Sequence, residues 1–208
     1  MVRGWLHEPP ADPLATLALT HGAGANCDAP LLIVLAEAFA QAGIVTLRFD
    51  LPYRQIRPHG PPIAAQASRD REGIRQAAET LRELTKHPVF LGGHSYGGRQ
   101  ASMTAAENPD LAAALLLLSY PLHPPRKREQ LRIQHFDNLH TPALFVHGTR
   151  DPFGSIEELN EAIQAIPART GLLAIEGAPH GVPPSQAGRI VSQFIEFTKI
   201  SQNESAAR

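Results

Sequence analysis

A serine lies between two glycines in the segment Gly93-His94-Ser95-Tyr96-Gly97. The segment follows an apolar run that ends at Leu91 and precedes a stretch of helical periodicity through Ala101 and Ala105. At such a strand-to-helix turn the glycines allow a close approach in which larger side chains would clash. We therefore predict that the Ser95 hydroxyl is exposed above a sheet and acts as a nucleophile. The alternative is a glycine-rich turn that carries an inert serine.

A serine nucleophile needs a general base, and ten histidines compete for that role. His180 follows the last apolar run and precedes the last helical segment, where a loop can hold an imidazole over the edge of a sheet. We predict that His180 is the base. His21 is expected to brace its loop, His94 to point away from the site, and His147 to be a packed or hydrogen-bonded histidine.

An acid must orient the imidazole and stabilise its protonated form, and Asp151 is the candidate. It follows an apolar run and lies between serine and histidine along the chain, in the order that a nucleophile turn of this type uses. Two alternatives stay open. Asp151 precedes a proline and could simply initiate a turn, and Glu176 is a fallback acid only four residues before His180.

Two backbone amides are expected to hold the negative charge that develops on a substrate oxygen. One is the Tyr96 N–H at the start of the helix, and the other is the Ala23 N–H in the small-residue loop His21-Gly22-Ala23-Gly24-Ala25. A glycine-rich loop could instead bind phosphate. This one lacks the Lys-Ser/Thr of a P-loop and the spacing of a dinucleotide fingerprint, so we predict no nucleotide.

Residues near the mouth of the predicted site could contact a substrate. The candidates are Gly24, Tyr53, Arg54 and Arg57. The arginines, together with Arg99 beside the nucleophile, raise the possibility of an anionic substrate. The alternative is that these are ordinary solvated arginines of loops and helices.

The segments that position these residues alternate between strand and helix. Short apolar runs without polar alternation are typical of parallel strands buried on both faces, and helical periods separate them. The runs are Leu17 to Thr20, Ile44 to Phe49, Val89 to Leu91, Leu115 to Leu118, Ala143 to Val146 and Leu172 to Ile175, with a short edge strand at Trp5 and Leu6. Helices are predicted after Pro30, through Ile74 to Leu84, from a Ser155/Glu158 capping box to Ile166, and from Ile190 to Phe197. The pattern predicts an α/β fold with a mostly parallel sheet of about six to seven strands flanked by helices.

Residues 1–200 are predicted to form one domain, and the polar tail 201–208 to be disordered. The proline-rich stretches Pro52 to Pro62 and Pro121 to Pro125 both follow strands, so they are candidate pocket walls. Only about two dozen residues separate the strand ending near Ser119 from the next one, which is too few for a helical cap domain.

The composition excludes several classes of protein. The 208 residues include 19 Lys and Arg against 20 Asp and Glu, a formal charge of −1, and this balance argues against a nucleic-acid partner. The longest apolar stretch, Leu111 to Leu118, is too short to cross a bilayer, and no signal peptide is recognisable, so we expect no membrane partner and a cytoplasmic location. The single cysteine, Cys27, forms no internal disulfide. No zinc-type spacing exists, and we expect no metal and no organic cofactor.

These residues resemble the α/β-hydrolase superfamily over nearly the whole chain. Three stretches resemble more narrowly a small branch related to dienelactone hydrolase: LTHGAGAN (19–26), LRFDLPY (47–53), and SYPLHPP (119–125) followed by TPALFVHGTRDPFG (141–154). That branch contains testis-expressed protein thirty and subunit three of the non-specific lethal acetyltransferase complex.

The resemblance implies an eight-strand-type core shortened at the N-terminus, and it implies triad roles for Ser95, Asp151 and His180. Dienelactone hydrolase uses a cysteine nucleophile, whereas the corresponding residue here is Ser95 and Cys27 is expected off the site. We predict a serine hydrolase that cleaves a small-molecule ester, thioester or related acyl bond through an acyl-enzyme. A non-catalytic interaction module that binds a protein partner is the alternative. The sequence leaves the oligomeric state open.

Overall fold

Strands and helices alternate along the chain. A computed structural model describes residues 2–124 and 126–200, so the predicted tail 201–208 and Pro125 of the second proline-rich stretch lie outside the described residues. The strands are β1 Gly4–His7, β2 Ala15–Thr20, β3 Ile44–Phe49, β4 Val89–His94, β5 Ala114–Leu118, β6 Ala143–Gly148 and β7 Thr170–Ile175. The helices are α1 Pro30–Gln41, α2 Pro52–Ile56, α3 Ala67–Thr85, α4 Tyr96–Glu107, α5 Ile156–Ala162 and α6 Ala187–Thr198.

The strands form one seven-stranded sheet in the order β1-β3-β2-β4-β5-β6-β7. All neighbours pair in parallel except β1, which pairs antiparallel with β3 at one edge. The sheet confirms the predicted fold class, and β1 confirms the short edge strand proposed around Trp5.

The continuous apolar runs reflect burial on both sides of the sheet. In β2, Leu17 and Leu19 pack in one core with α1 and α6, while Ala18 faces the other core, which contains residues of α3 and α4. Each face of a parallel strand thus contacts helices, and this is why the runs lack polar alternation.

The strand order places a crevice between β2 and β4. The chain leaves β2 through α1 toward β3 on one side, then returns through α3 to β4 on the other side. Ligands in open parallel sheets bind at the carboxyl ends of strands where this reversal occurs. The loop after Thr20 and the turn at Ser95 meet at this place.

Several predicted boundaries change in the structure. Five of the six apolar runs differ from the strands at one end, and the largest differences include β4, which continues to His94, and β6, which continues to Gly148. The helix predicted to reach Ile166 ends at Ala162 and continues as a 3-10 turn to Ala165. Between β5 and β6 the described residues contain one 3-10 turn, Phe136–Asn138, and no cap domain. No described helix has the length and apolarity to cross a bilayer.

Candidate active site

Ser95 occupies the sharp turn between β4 and α4. Its backbone has φ 50° and ψ −112°, a conformation that costs a non-glycine residue about 1–3 kcal/mol. A Cβ on Gly93 would lie 2.6 Å from the Gly97 carbonyl carbon, and one on Gly97 would lie 2.5 Å from the His21 oxygen. The two glycines are therefore required by close approach, as the sequence pattern predicts.

The side chains of Ser95, His180 and Asp151 form one hydrogen-bonded chain. The His180 Nδ1 lies 2.8 and 3.0 Å from the two Asp151 carboxylate oxygens, and the His180 Nε2 lies 2.7 Å from the Ser95 Oγ. Because a carboxylate can only accept, Nδ1 carries the proton and Nε2 accepts from the serine hydroxyl. The Asp151 side chain is fully buried and that of His180 is 24% exposed. This arrangement can deprotonate a serine as it attacks.

The structure bears on both alternatives for the acid, namely that Asp151 only initiates a turn and that Glu176 contacts His180. Asp151 does initiate a turn, since its Oδ1 accepts from the Phe153 N–H at 2.9 Å, and it contacts His180 as well. Glu176 is exposed, and its carboxylate accepts a 3.4 Å hydrogen bond from Thr149 rather than one from His180. One carboxylate therefore combines the turn and the histidine contact.

The His180 loop is held against the end of β6. The Arg150 N–H donates to the Ala178 oxygen at 2.9 Å, and a Cβ on Gly148 would lie 2.2 Å from that same oxygen. The Phe153 ring packs on the imidazole of His180 with a centroid distance of 4.1 Å. The end of β6 and the turn that carries Asp151 thus also fix the loop that carries His180.

His94 does not point away from the site, contrary to the sequence prediction. It lines the cavity, and its Nε2–H donates to the His180 main-chain oxygen at 3.1 Å. The reason is that Gly22 leaves space beside it, since a Cβ there would lie 2.8 Å from the His94 Nδ1. Burial lowers the pKa of His94, so the ring is neutral near pH 7 and adds no charge beside His180.

The other two histidines behave as predicted. His21 is buried; its Nε2 accepts from the Leu51 N–H at 3.1 Å, and its Nδ1–H donates to the Gly22 oxygen at 2.9 Å. His147 is buried behind Asp151 and donates through Nε2 to the Gly154 oxygen at 2.9 Å. Burial lowers the pKa of both rings.

The structure contains a second serine–histidine pair, Ser102 and His135, which differs from Ser95 and His180 in its access to the cavity and in its lack of a carboxylate partner among the described residues. The Ser102 Oγ lies 2.8 Å from the His135 Nε2, yet Ser102 is fully buried on α4 and does not line the cavity. Burial first, and then the positive charges of Arg99 and Arg71, lower the pKa of His135 to about 4. A ring in this environment is a poor proton acceptor, whereas His180 has a carboxylate partner.

The side chains of Tyr53 and Arg54 hold the loop that carries Ala23 by hydrogen bonds to its main-chain oxygens. The Tyr53 hydroxyl donates to the Ala23 oxygen at 2.9 Å. The Arg54 guanidinium donates to the carbonyl oxygens of four residues, Ala23, Ala25, Arg57 and Gly60. With their oxygens held below, residues 22–25 turn toward the nucleophile. Within the described part of the chain, no hydrogen bond uses the Ala23 N–H.

Tyr96 starts α4, so its N–H belongs to the first turn, whose amides have no partner within the helix. Its hydroxyl donates to the buried carboxyl of Asp70 at 2.7 Å, and Asp70 also accepts from the Tyr53 N–H at 3.0 Å. Asp70 therefore links the residues on both sides of the crevice. Burial raises the pKa of this carboxyl.

A cavity of about 610 Å³ opens above Ser95. Its walls include residues 22–25, Pro61, Pro62 and Pro121, so both proline-rich loops contribute to it as predicted. Its lining also includes His180, Phe153, Arg99 and Arg132. Sequence analysis did not identify Phe153 or Arg132 as site residues, although Phe153 lies two residues after Asp151.

Of the four predicted substrate contacts, only Gly24 lines the cavity. Tyr53 and Arg54 are buried under the Ala23 loop, where their polar groups bind main-chain oxygens, and Arg57 is exposed outside the cavity. Tyr53 and Arg54 therefore support the loop that carries Ala23 instead of contacting a substrate, and the prediction for Arg57 is also wrong because it lies outside the cavity. Cys27 is buried away from the cavity, and burial raises the pKa of its thiol to about 12. The described residues contain no group of side chains that could hold a metal ion.

Comparisons with known proteins place this geometry in context. A family model described as an alpha/beta hydrolase domain matches residues 13–199. The structure is similar to Est1E from Butyrivibrio proteoclasticus, solved with ferulic acid bound, at a TM-score of 0.78 and 17% identity, over 96% of each chain. It is also similar to a dienelactone hydrolase from Anabaena variabilis, at 0.76 and 23% identity, over 96% of this chain and 90% of that one. TT1662 from Thermus thermophilus is similar at 0.74 and 21% identity, over 97% and 100% of the two chains.

Proposed function

The chain belongs to the alpha/beta hydrolase domain family, and from that premise we propose that it is a serine hydrolase that cleaves an ester, thioester or related acyl bond. The observation that carries the proposal is the chain of contacts Ser95 Oγ, His180 Nε2, His180 Nδ1 and Asp151, with distances of 2.7 and 2.8 Å. These contacts support a nucleophile and a base on the cavity wall, with the base held by a carboxylate that is buried behind it.

In the first half of the proposed reaction, the Ser95 oxygen attacks the carbonyl carbon while its proton passes to the His180 Nε2. Asp151 stabilises the resulting imidazolium. The carbonyl oxygen becomes negative and is bound by the N–H groups of Tyr96 and Ala23. When the tetrahedral intermediate collapses, the bond to the leaving group breaks, and that group takes the proton from His180. An acyl-enzyme remains on Ser95.

In the second half, water repeats the sequence. His180 accepts a proton as the water oxygen attacks the acyl carbon, and the acid product leaves when that proton returns to the Ser95 oxygen. No cap domain covers the cavity in the described residues, so water has direct access to the acyl-enzyme. The dienelactone hydrolase from Anabaena variabilis, which is similar in fold, is consistent with a hydrolytic reaction.

The test is intact mass after incubation with a fluorophosphonate, which reports an activated serine without requiring the natural substrate. We expect one adduct on the wild type and none on Ser95→Ala or His180→Ala. Ser102→Ala is the matched control, because it removes a serine that also contacts a histidine but lies outside the cavity. It should keep the adduct.

Absence of an adduct on folded wild-type protein would reject the proposal and favour the non-catalytic interaction module. Loss of the adduct in Ser102→Ala but not in Ser95→Ala would reject Ser95 as the nucleophile. After a positive result, a screen of esters and thioesters identifies the bond that is cleaved.

A further inference from the structure

The cavity above Ser95 has a wall of positive charge. Arg99 and Arg132 both line it, and no aspartate or glutamate among the described residues does. Neither arginine takes part in any ion pair within the described part of the chain. Two guanidinium groups thus face one cavity without a counter-ion from residues 2–124 or 126–200.

Arg99 is placed by the helix that starts at the nucleophile. Its N–H donates to the Ser95 oxygen at 2.9 Å, so it lies one turn after Ser95 on the same face of α4. The rise along the axis over these four residues is about 6 Å. The Arg99 Nε is buried and has no hydrogen-bond partner within the described residues.

Arg132 comes from the loop between β5 and β6, and its backbone is fixed from both sides. Its N–H donates to the Leu122 oxygen at 2.8 Å, and its own oxygen accepts from the Tyr120 hydroxyl at 2.6 Å. The side chain is half-buried, and its one hydrogen bond to the described residues is long, 3.5 Å from its Nη1 to the Pro121 oxygen. The guanidinium therefore lies at the cavity wall with most of its donors free of a partner among those residues.

The local electrostatics agree with an uncompensated positive site. Burial lowers the pKa of Arg132, and the nearby charge of Arg99 lowers it further. Arg99 is also the strongest charged neighbour that lowers the pKa of His135. An anion in the cavity would relieve both effects.

Arg54 is a structural arginine in the same molecule, and it serves as a comparison for Arg99 and Arg132. It is buried outside the cavity, and its guanidinium donates to four main-chain oxygens. Within the described residues, Arg99 and Arg132 have no comparable set of main-chain acceptors, since Arg99 interacts with the Tyr120 hydroxyl and Arg132 makes one long contact with the Pro121 oxygen. These few contacts leave guanidinium donors that a ligand in the cavity could use.

We propose that Arg99 and Arg132 form a subsite for an oxyanion group, a carboxylate or a phosphate, carried by the substrate at a short distance from the bond attacked by Ser95. Guanidinium groups bind such planar or tetrahedral oxyanions through paired hydrogen bonds. The one-turn separation from Ser95 favours compact substrates, such as the half-ester of a short dicarboxylic acid. This inference rests on the proposed function for the identity of the substrate, but the anion subsite can be tested without turnover.

The first experiment measures binding by calorimetry in the inactive Ser95→Ala background at fixed ionic strength. Glutarate and inorganic phosphate are the two probes, and they distinguish a carboxylate site from a phosphate site. We expect at least one to bind, and Arg99→Gln or Arg132→Gln to weaken it by about tenfold or more. Arg69→Gln is the matched control, because it removes an equal charge from an exposed position on α3 outside the cavity.

Two further variants distinguish a loss of anion binding from a loss of folded structure. Arg99→Lys and Arg132→Lys keep the charge but lose the paired donors, so we expect binding between that of the parent and that of the glutamine variants. Circular dichroism establishes that each protein is folded. The proposal is overturned if neither probe binds, or if the Arg69 variant weakens binding as much as the cavity variants do.

The second experiment uses turnover on the active protein, with Ser95→Ala as the blank for spontaneous hydrolysis. We expect kcat/KM for 4-nitrophenyl hemiglutarate to exceed that for its neutral methyl ester, and the ratio to fall at least about tenfold in Arg99→Gln. An unchanged ratio would refute the subsite. Anion binding without fluorophosphonate labelling would instead refute the hydrolase and leave the subsite standing, so the two failures are distinct.

Discussion

Substitution Gly148→Ala tests whether the close packing between β6 and the His180 loop positions the histidine. The added Cβ would lie 2.2 Å from the Ala178 oxygen and 2.5 Å from the Pro179 oxygen. An ordinary carbon–oxygen contact is about 3.3 Å, so the loop has to move by about 1 Å. A displacement of that size at a reacting group costs about a hundredfold in rate. Overpacking of a tight backbone contact also costs about 1–3 kcal/mol of stability.

The assay is the second-order rate of fluorophosphonate labelling, measured with thermal unfolding of the same samples. We expect labelling of Gly148→Ala to be about a hundredfold slower while the protein remains folded at 25 °C. The matched control is Gly181→Ala, next to His180 in the same loop, where an added Cβ has no atom within 4 Å. The control should unfold within about 0.5 kcal/mol of the wild type. Wild-type labelling by Gly148→Ala, or equal slowing in the control, would refute the reasoning.

Three further predictions concern buried polar groups. Arg54→Met leaves the oxygens of Ala25, Arg57 and Gly60 without their donor, while the Ala23 oxygen keeps the Tyr53 hydroxyl; it should lower the free energy of unfolding by about 3 kcal/mol, measured in urea, with Arg54→Lys recovering only part. Burial lowers the pKa of His135 to about 4 in the folded protein, so the unfolded state takes up a proton first and the folded state loses stability as the pH falls below about 6.5. The difference in unfolding free energy between wild type and His135→Gln should therefore change by about 2–3 kcal/mol between pH 7.5 and 4.5. Burial raises the pKa of Asp70 above its ordinary value of 3.8, so the folded state holds that proton more tightly and stability is lost as the pH rises through the raised pKa. Asp70→Asn should therefore become more stable relative to the wild type between about pH 3.5 and 7, and an equal pH dependence of the two proteins would contradict this.

The fold was predictable because its signals are local. Unbroken apolar runs such as Ile44–Phe49 mark strands buried on both faces, and the Ser155/Glu158 capping box marks the start of α5. The exact ends were less accessible: β4 runs on through Gly92 and Gly93, which carry no side chain to extend the apolar pattern.

The positions of Ser95, Asp151 and His180 were likewise accessible, because strand-end placement and chain order restrict where such residues can lie. Arg54 and Arg132 were not. The sequence suggested that Arg54 contacts a substrate or is solvated, yet its side chain on α2 folds inward, where it donates to four carbonyl oxygens. Arg132 reaches the cavity only through the path of a loop fixed by Tyr120, which no local pattern encodes. The narrower likeness to testis-expressed protein thirty stays a prediction.

The left-handed backbone of Ser95 also has an evolutionary consequence. A residue held at φ 50° stores conformational energy that a glycine at the same position would release. Selection for thermal stability alone would therefore favour replacement of Ser95 by glycine, with loss of the hydroxyl group. Related proteins that keep serine at this position are therefore expected to be under selection for a reactive hydroxyl. Relatives that have glycine there, with the rest of the sheet unchanged, are expected to have lost that reactivity.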